Sequence, residues 1–189
     1  MIRLSVDTSF EHLGLCLTRN GVALANYYSL CHRRNATIIF EVIDDLLKSA
    51  ELSLAEVDAY VVNCGPGSYT GVRIGMSVTK TFAQVHDKPV IPVNSLELLA
   101  GQIRHQKNDF PVLLNCTRRE IFHSVFRIVD DHPVAQTAIQ LTSQKNSLKS
   151  QAVFRLSIIA STLRGENMSH CLNNWFSCPW IIQFRMLSF

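Results

Sequence analysis

Two short stretches hold the residues with the strongest claim on chemistry: Asp7-Thr8-Ser9, and residues 65–75, which read Gly-Pro-Gly-Ser-Tyr-Thr-Gly-Val-Arg-Ile-Gly. The second places four glycines at Gly-x-Gly-x3-Gly-x3-Gly spacing between an apolar β run and a helical pattern, with Ser68 or Thr70 available as the helix cap. An exposed glycine turn at a helix N-terminus presents unpaired amides and the positive end of the helix dipole, both suited to an anion. Asp7 closes the first β run beside two hydroxyls, a grouping that can position water, a cation or a phosphate. Asp7, Thr8, Gly65, Gly67 and Ser68 are therefore the candidate nucleotide- or anion-binding residues. The same residues equally suit a tight strand-to-helix turn and a loop cap.

Other constellations are missing from the sequence. None of the histidines has a second one four residues away, as a zinc hydrolase helix requires. There is no Gly-x4-Gly-Lys-[Ser/Thr] phosphate loop, no third glycine at Rossmann spacing, and no Gly-x-Ser-x-Gly nucleophile elbow. No catalytic residue and no metal ligand is assigned, and no cofactor is required by this chain alone. The six cysteines are scattered without a Cys-x2-Cys pair, which points to reduced, buried thiols and to neither a zinc site nor a disulfide framework.

The elements that position the two stretches follow from periodicity and turn residues. Residues 2–6, 13–18 and 22–29 read as three strands, the last two joined by the Asn20-Gly21 hairpin turn. Residues 36–50 read as a helix, 51–58 as a connection, 59–63 as a central strand and 72–86 as the helix after the glycine loop. Residues 88–94 form a turn and strand, and Ser95 caps a helix over 96–103. The polar stretch 102–109 marks a boundary, and 110–114 and 121–129 pair as strands of a second lobe. Two lobes result, 1–103 and 110–189. After Asp130 the signals fade: 134–148 is mildly β-like, 152–163 has helical character, and the aromatic 173–189 is too short and interrupted to span a membrane.

Both long helices carry apolar arcs of roughly 200°, about twice the width that packing on one sheet requires. On the first helix the arc includes Ile38, Ile39, Phe40, Val42 and Leu46; on the second it includes Gly71, Val72, Gly75, Met76, Thr79 and Ala83. The Gly71, Gly75, Thr79 stripe permits close approach of another helix. Ile38, Ile39, Val42, Leu46, Gly71, Val72, Gly75, Met76, Thr79 and Ala83 are thus the candidate partner interface, unless the rest of the chain covers these faces. A copy of the same chain would also fit them, making a homodimer.

The 189 residues are 47% apolar and 17% charged with a net charge of +3, a composition that excludes extensive disorder and gives no clustered basic face for nucleic acid. Asp7 interrupts what would be the core of a signal peptide, so a cytoplasmic protein is expected.

Asp7-Thr8-Ser9, the Asn-Gly hairpin and the whole of residues 65–75 together resemble the TsaB (YeaZ) family, over about residues 1–129. Asn115-Cys-Thr-Arg-Arg-Glu-Ile-Phe122 is similar to that family's Asp-Ala-Arg-x-Gly-Glu-Val-Tyr hairpin, departing from it at Asn115-Cys116. The resemblance implies an α/β, actin-like ATPase fold (sugar kinase/Hsp70, RNase H-like) with two lobes, each on a five-stranded mixed sheet. The second lobe is expected to be incomplete or divergent after about residue 130. The resemblance further implies a non-catalytic subunit that binds TsaD through first-lobe helices and supports threonylcarbamoyl transfer to adenosine of tRNA. TsaE, an ATPase, and ATP with Mg²⁺ then enter through the complex, and tRNA is met indirectly. The alternatives are a nucleotide-hydrolysing member of the fold, with Asp7 and the glycine loop as its site, and a metallopeptidase-like protein.

Overall fold

The computed structural model describes residues 1–30, 35–103, 108–117 and 119–143. Strands β1 (Ile2–Asp7), β2 (His12–Arg19) and β3 (Val22–Leu30) form an antiparallel meander. Asn20 and Gly21 both adopt positive φ, 52° and 84°, as a two-residue hairpin turn matched to strand twist demands. Helix α1 (Asn35–Ser49) and a single 3-10 turn, Leu54–Glu56, lead to β4 (Ala59–Asn63), which runs parallel to β1. The glycine loop and α2 (Tyr69–His86) then cross to β5 (Val90–Val93), parallel to β4. The resulting five-stranded mixed sheet has the order β3-β2-β1-β4-β5.

Alternation decides which face α1 and α2 cover. Leu4, Val6, Leu13, Leu15, Leu17 and Tyr60 meet Ile39, Ile43, Leu46 and Leu47 of α1 and Val78 and Ala83 of α2 in one core. β4 is buried at all five positions, as a strand paired on both edges in the middle of the sheet must be, which is why it reads as an unbroken apolar run.

The second sheet is organised by β7 (Glu120–Val129), which pairs with β6 (Phe110–Asn115) along one edge. Along its other edge lie β8 (His132–Ala135) and β9 (Gln140–Ser143), and all these pairings are antiparallel. Among the described residues this sheet has four strands, where the family resemblance implied five in a mixed arrangement. Helix α3 (Ser95–Ala100) belongs to it: Leu96, Leu99 and Ala100 share a core with Phe110, Val112, Leu114 and Phe126. Helix α3 also touches the first lobe, through the Ser95 bond to Asn63 and through Leu98, which lines a small cavity with Ser5, Val61 and Val93.

Two local expectations change, at α3 and at Cys16, and the mild β character after residue 134 is realised as strands. Asn94, not Ser95, caps α3, its side chain accepting from Leu96 N at 2.7 Å and Glu97 N at 3.3 Å. β8 and β9 form in a stretch of weak β character because β7 offers them a free edge. Cys16 is disulfide-bonded, a pairing the scattered spacing did not announce. The helical character of 152–163 and the apolar 173–189 lie outside the described residues.

Candidate functional site

The carboxyl ends of β1 and β4 and the start of α3 meet in one buried polar knot. Asp7 Oδ1 accepts from Ser9 N (2.8 Å) and Ser9 Oγ (2.6 Å), and Asp7 Oδ2 accepts from Asn63 Nδ2 (3.0 Å). Asn63 Nδ2 also donates to Ser9 Oγ (2.9 Å), while Asn63 Oδ1 accepts from Gly65 N and Ser95 Oγ, each at 2.9 Å. Ser9, Asn63 and Ser95 are all buried, so each needs these partners. Across the knot, Thr8 Oγ1 donates to Gly71 O (2.7 Å) and Ser68 N to Ser9 O (2.6 Å), and Ser68 Oγ caps α2 by accepting from Gly71 N at 3.2 Å.

These contacts engage several of the residues expected to hold an anion in bonds within the chain. Asp7 and Gly65 N bond Asn63, Asp7 also bonds Ser9, Thr8 Oγ1 bonds Gly71, Ser68 bonds Ser9 and Gly71, and Gly67 lies against the Ser9 backbone. The cavity beside Asp7, lined by Ser5, Val61, Asn63 and Leu98 among others, measures about 20 Å³. That holds about one water molecule and no nucleotide. Sequence reasoning missed Asn63 and the part Ser95 plays here; the available signal was a lone amide ending an otherwise apolar strand two residues before Gly65.

The same knot explains the glycines. A Cβ at Gly67 would sit 2.5 Å from Ser9 O, one at Gly75 would sit 2.6 Å from Thr8 Oγ1, and one at Gly71 would overlap Thr8 O. Gly71 and Gly75 thus lie against Thr8 and the end of the chain's own first strand, and Thr79 is buried, where sequence reasoning turned this stripe toward another helix. Gly65, at φ 94°, occupies a backbone region that side chains disfavour.

Of the proposed interface positions, Ile39, Leu46, Gly71, Gly75, Thr79 and Ala83 are buried by this chain itself. Ile38, Val42, Val72 and Met76 are half-buried. The wide apolar arcs are shared: their centres go to the sheet and only their flanks remain. Between α1 and α2 lies an open groove of about 390 Å³, with Ile39 and Phe40 on one wall and Arg73, Ile74, Ser77 and Val78 on the other; Ile38, Val42, Val72 and Met76 are outside its lining. Phe40 is 55% exposed although its ring packs edge-to-face on Phe82 at 6.1 Å. At the α2 N-terminus the Arg73 guanidinium lies 5.3 Å over the ring of Tyr69, itself 76% exposed, and Arg73 Nη1 donates to Tyr69 Oη at 3.4 Å. Among the described residues no cluster of three His, Cys, Asp or Glu side chains is arranged to hold a metal, and no helix is long and apolar enough to cross a membrane.

Residues 29–139 match the family model for TsaD, tRNA N6-adenosine threonylcarbamoyltransferase. The chain is 32% identical over 127 residues to the tRNA threonylcarbamoyladenosine biosynthesis protein TsaB of Bacillus subtilis, covering 67% of this chain and 56% of the relative. To TsaB of Escherichia coli it is 33% identical over 97 residues, 51% of this chain and 42% of the relative. The solved structure of YeaZ from Pseudomonas aeruginosa superposes with a TM-score of 0.67 at 25% identity, covering 74% of this chain and 66% of that one. The chain spans about half the length of the curated relatives it matches. The mixed first sheet, the glycine loop locked onto Asp7-Thr8-Ser9 and these likenesses agree on an actin-like ATPase (RNase H-like) fold, and the chain belongs to the TsaB/YeaZ family.

Proposed function

We propose that this chain is a non-catalytic subunit that binds and supports a TsaD-like enzyme in the threonylcarbamoylation of tRNA adenosine, docking through the flanks of α1 and α2. The observation that carries this reading is the groove between the two helices, where Phe40 stays exposed on an otherwise apolar wall. The role of the TsaB relatives in tRNA threonylcarbamoyladenosine biosynthesis supports it. A TsaE-like ATPase, ATP with Mg²⁺ and tRNA then join through the catalytic subunit, the whole acting in the cytoplasm. Without that subunit, the same face pairs two copies of the chain. The inward-turned donors around Asp7 and the 20 Å³ cavity favour a structural role for the glycine loop over a nucleotide site.

Co-purification with a TsaD-type subunit tests the reading. Phe40→Glu places a charge on the groove wall at an exposed position, so the fold survives while binding is lost; retained binding refutes the docking face. Isothermal titration with Mg-ATP tests the glycine loop, and heat of binding by the isolated chain would restore the nucleotide reading.

A further inference from the structure

We infer that Arg73 selects what enters the α1–α2 groove: the occupant is an amphipathic helix of the catalytic subunit that lays apolar side chains against Phe40 and Ile74 and sets a carboxylate against the Arg73 guanidinium. This inference rests on the docking reading above and adds the chemistry of the partner.

Arg73 is exposed and lines the groove beside apolar side chains. Among the described residues it forms no ion pair; its one partner is Tyr69, through the ring and the phenol oxygen. A guanidinium carries five donors in a planar fork, and stacking on Tyr69 holds that fork in place while leaving most donors unused. A helix that fills the groove strips water from this cation. Burying an uncompensated charge is strongly unfavourable, so the occupant must supply an acceptor. A carboxylate matches the fork with two parallel hydrogen bonds and a full opposite charge. A partner carrying Lys or Arg at that place is rejected by the same geometry.

The remaining lining favours a protein helix over a nucleic-acid backbone. Among the described residues Arg73 is the one cation that lines the groove, beside the apolar Ile39, Phe40, Ile74 and Val78 and the neutral Thr70 and Ser77. Phosphate recognition calls for clustered cations, whereas one Arg among apolar side chains is the pattern of a helix-in-groove anchor with a single charge pair. Thr70 and Ser77, both short, flank Arg73 and leave room for the incoming carboxylate.

The test uses the full chain and the purified TsaD-type subunit of the same organism, with affinity measured calorimetrically at low and high salt. Arg73→Glu is expected to weaken binding about 100-fold, because it sets two carboxylates face to face. Arg73→Met, which keeps the apolar stem, is expected to lose about 10-fold and to flatten the salt dependence, while Arg73→Lys recovers part of both. Arg73 is on the surface, so the thermal midpoints of these variants should match the parent and separate binding from folding. If Arg73→Glu binds within about twofold of the parent while Phe40→Glu does not bind, the Arg73 inference is overturned and the docking reading stands. If neither variant alters binding, both fall. A loss confined to self-association assigns the groove to a second copy, and a loss seen only with tRNA present assigns Arg73 to phosphate; either result overturns the inference.

Discussion

Gly71→Ala is the sharpest test of how the glycine loop works. A Cβ at this position overlaps the carbonyl oxygen of Thr8 and comes within 3.0 Å of Thr8 C and 3.3 Å of Ser68 Cβ. None of these atoms is the end of a flexible side chain, so α2 must lift from β1. Overpacking of this kind costs about 3 kcal/mol. The lift also breaks the 2.7 Å bond from Thr8 Oγ1 to Gly71 O, worth about 1 kcal/mol. Alanine returns about 1 kcal/mol as the better helix former. The net loss is about 3 kcal/mol, a fall of about 10 °C in the midpoint for a domain of this size. Thermal unfolding followed by far-UV circular dichroism measures it, with Gly101→Ala as the control, since a Cβ there meets nothing closer than 3.4 Å. A Gly71→Ala midpoint within about 2 °C of the parent would refute the close approach of α2 to Thr8. It would reopen the anion reading, in which the glycine serves a ligand and not the strand.

Asn63→Ala removes the bridge between Asp7, Ser9, Gly65 and Ser95 and should cost about 3 kcal/mol in urea unfolding, because buried partners on both sides lose their bonds. Asn63→Asp sets a second carboxylate 3 Å from Asp7; its deficit should shrink as pH falls toward the carboxylate range, where one of the pair takes up a proton. Phe126→Ala, in the core shared by α3 and the second sheet, should lose about 4 kcal/mol if α3 packs as described, and a near-neutral result would detach that helix. Burial pushes the Tyr60 phenol above its ordinary value of 10, so the folded state holds the proton that the unfolded state releases. Stability is then complete below pH 10 and falls as pH rises beyond it; Tyr60→Phe should soften that alkaline limb in a pH titration of the melting midpoint.

Local chemistry made much of the first lobe legible. The Asn20-Gly21 hairpin, the fully apolar run of β4, the Ser68 cap and the 3.6-residue periodicity of α1 and α2 are short-range properties, each set by the residue's own conformational preference or by its immediate neighbours. Family membership was legible too, since residues 65–75 form an unbroken motif. Periodicity says how wide an apolar arc is, but not what covers it. The tertiary structure buried Ile39, Leu46, Gly75 and Ala83 within the chain and left Phe40 and Arg73 exposed in the groove between α1 and α2. It placed α3 on the second sheet, because that choice depends on which strands arrive later in the chain. The glycine loop shows the difference most plainly: its spacing is compatible with amides aimed at an anion or at a neighbouring strand. Only the position of Asp7-Thr8-Ser9, brought against it from 58 to 67 residues away, set Ser68 N on Ser9 O and Thr8 Oγ1 on Gly71 O and placed the glycines where the two stretches touch.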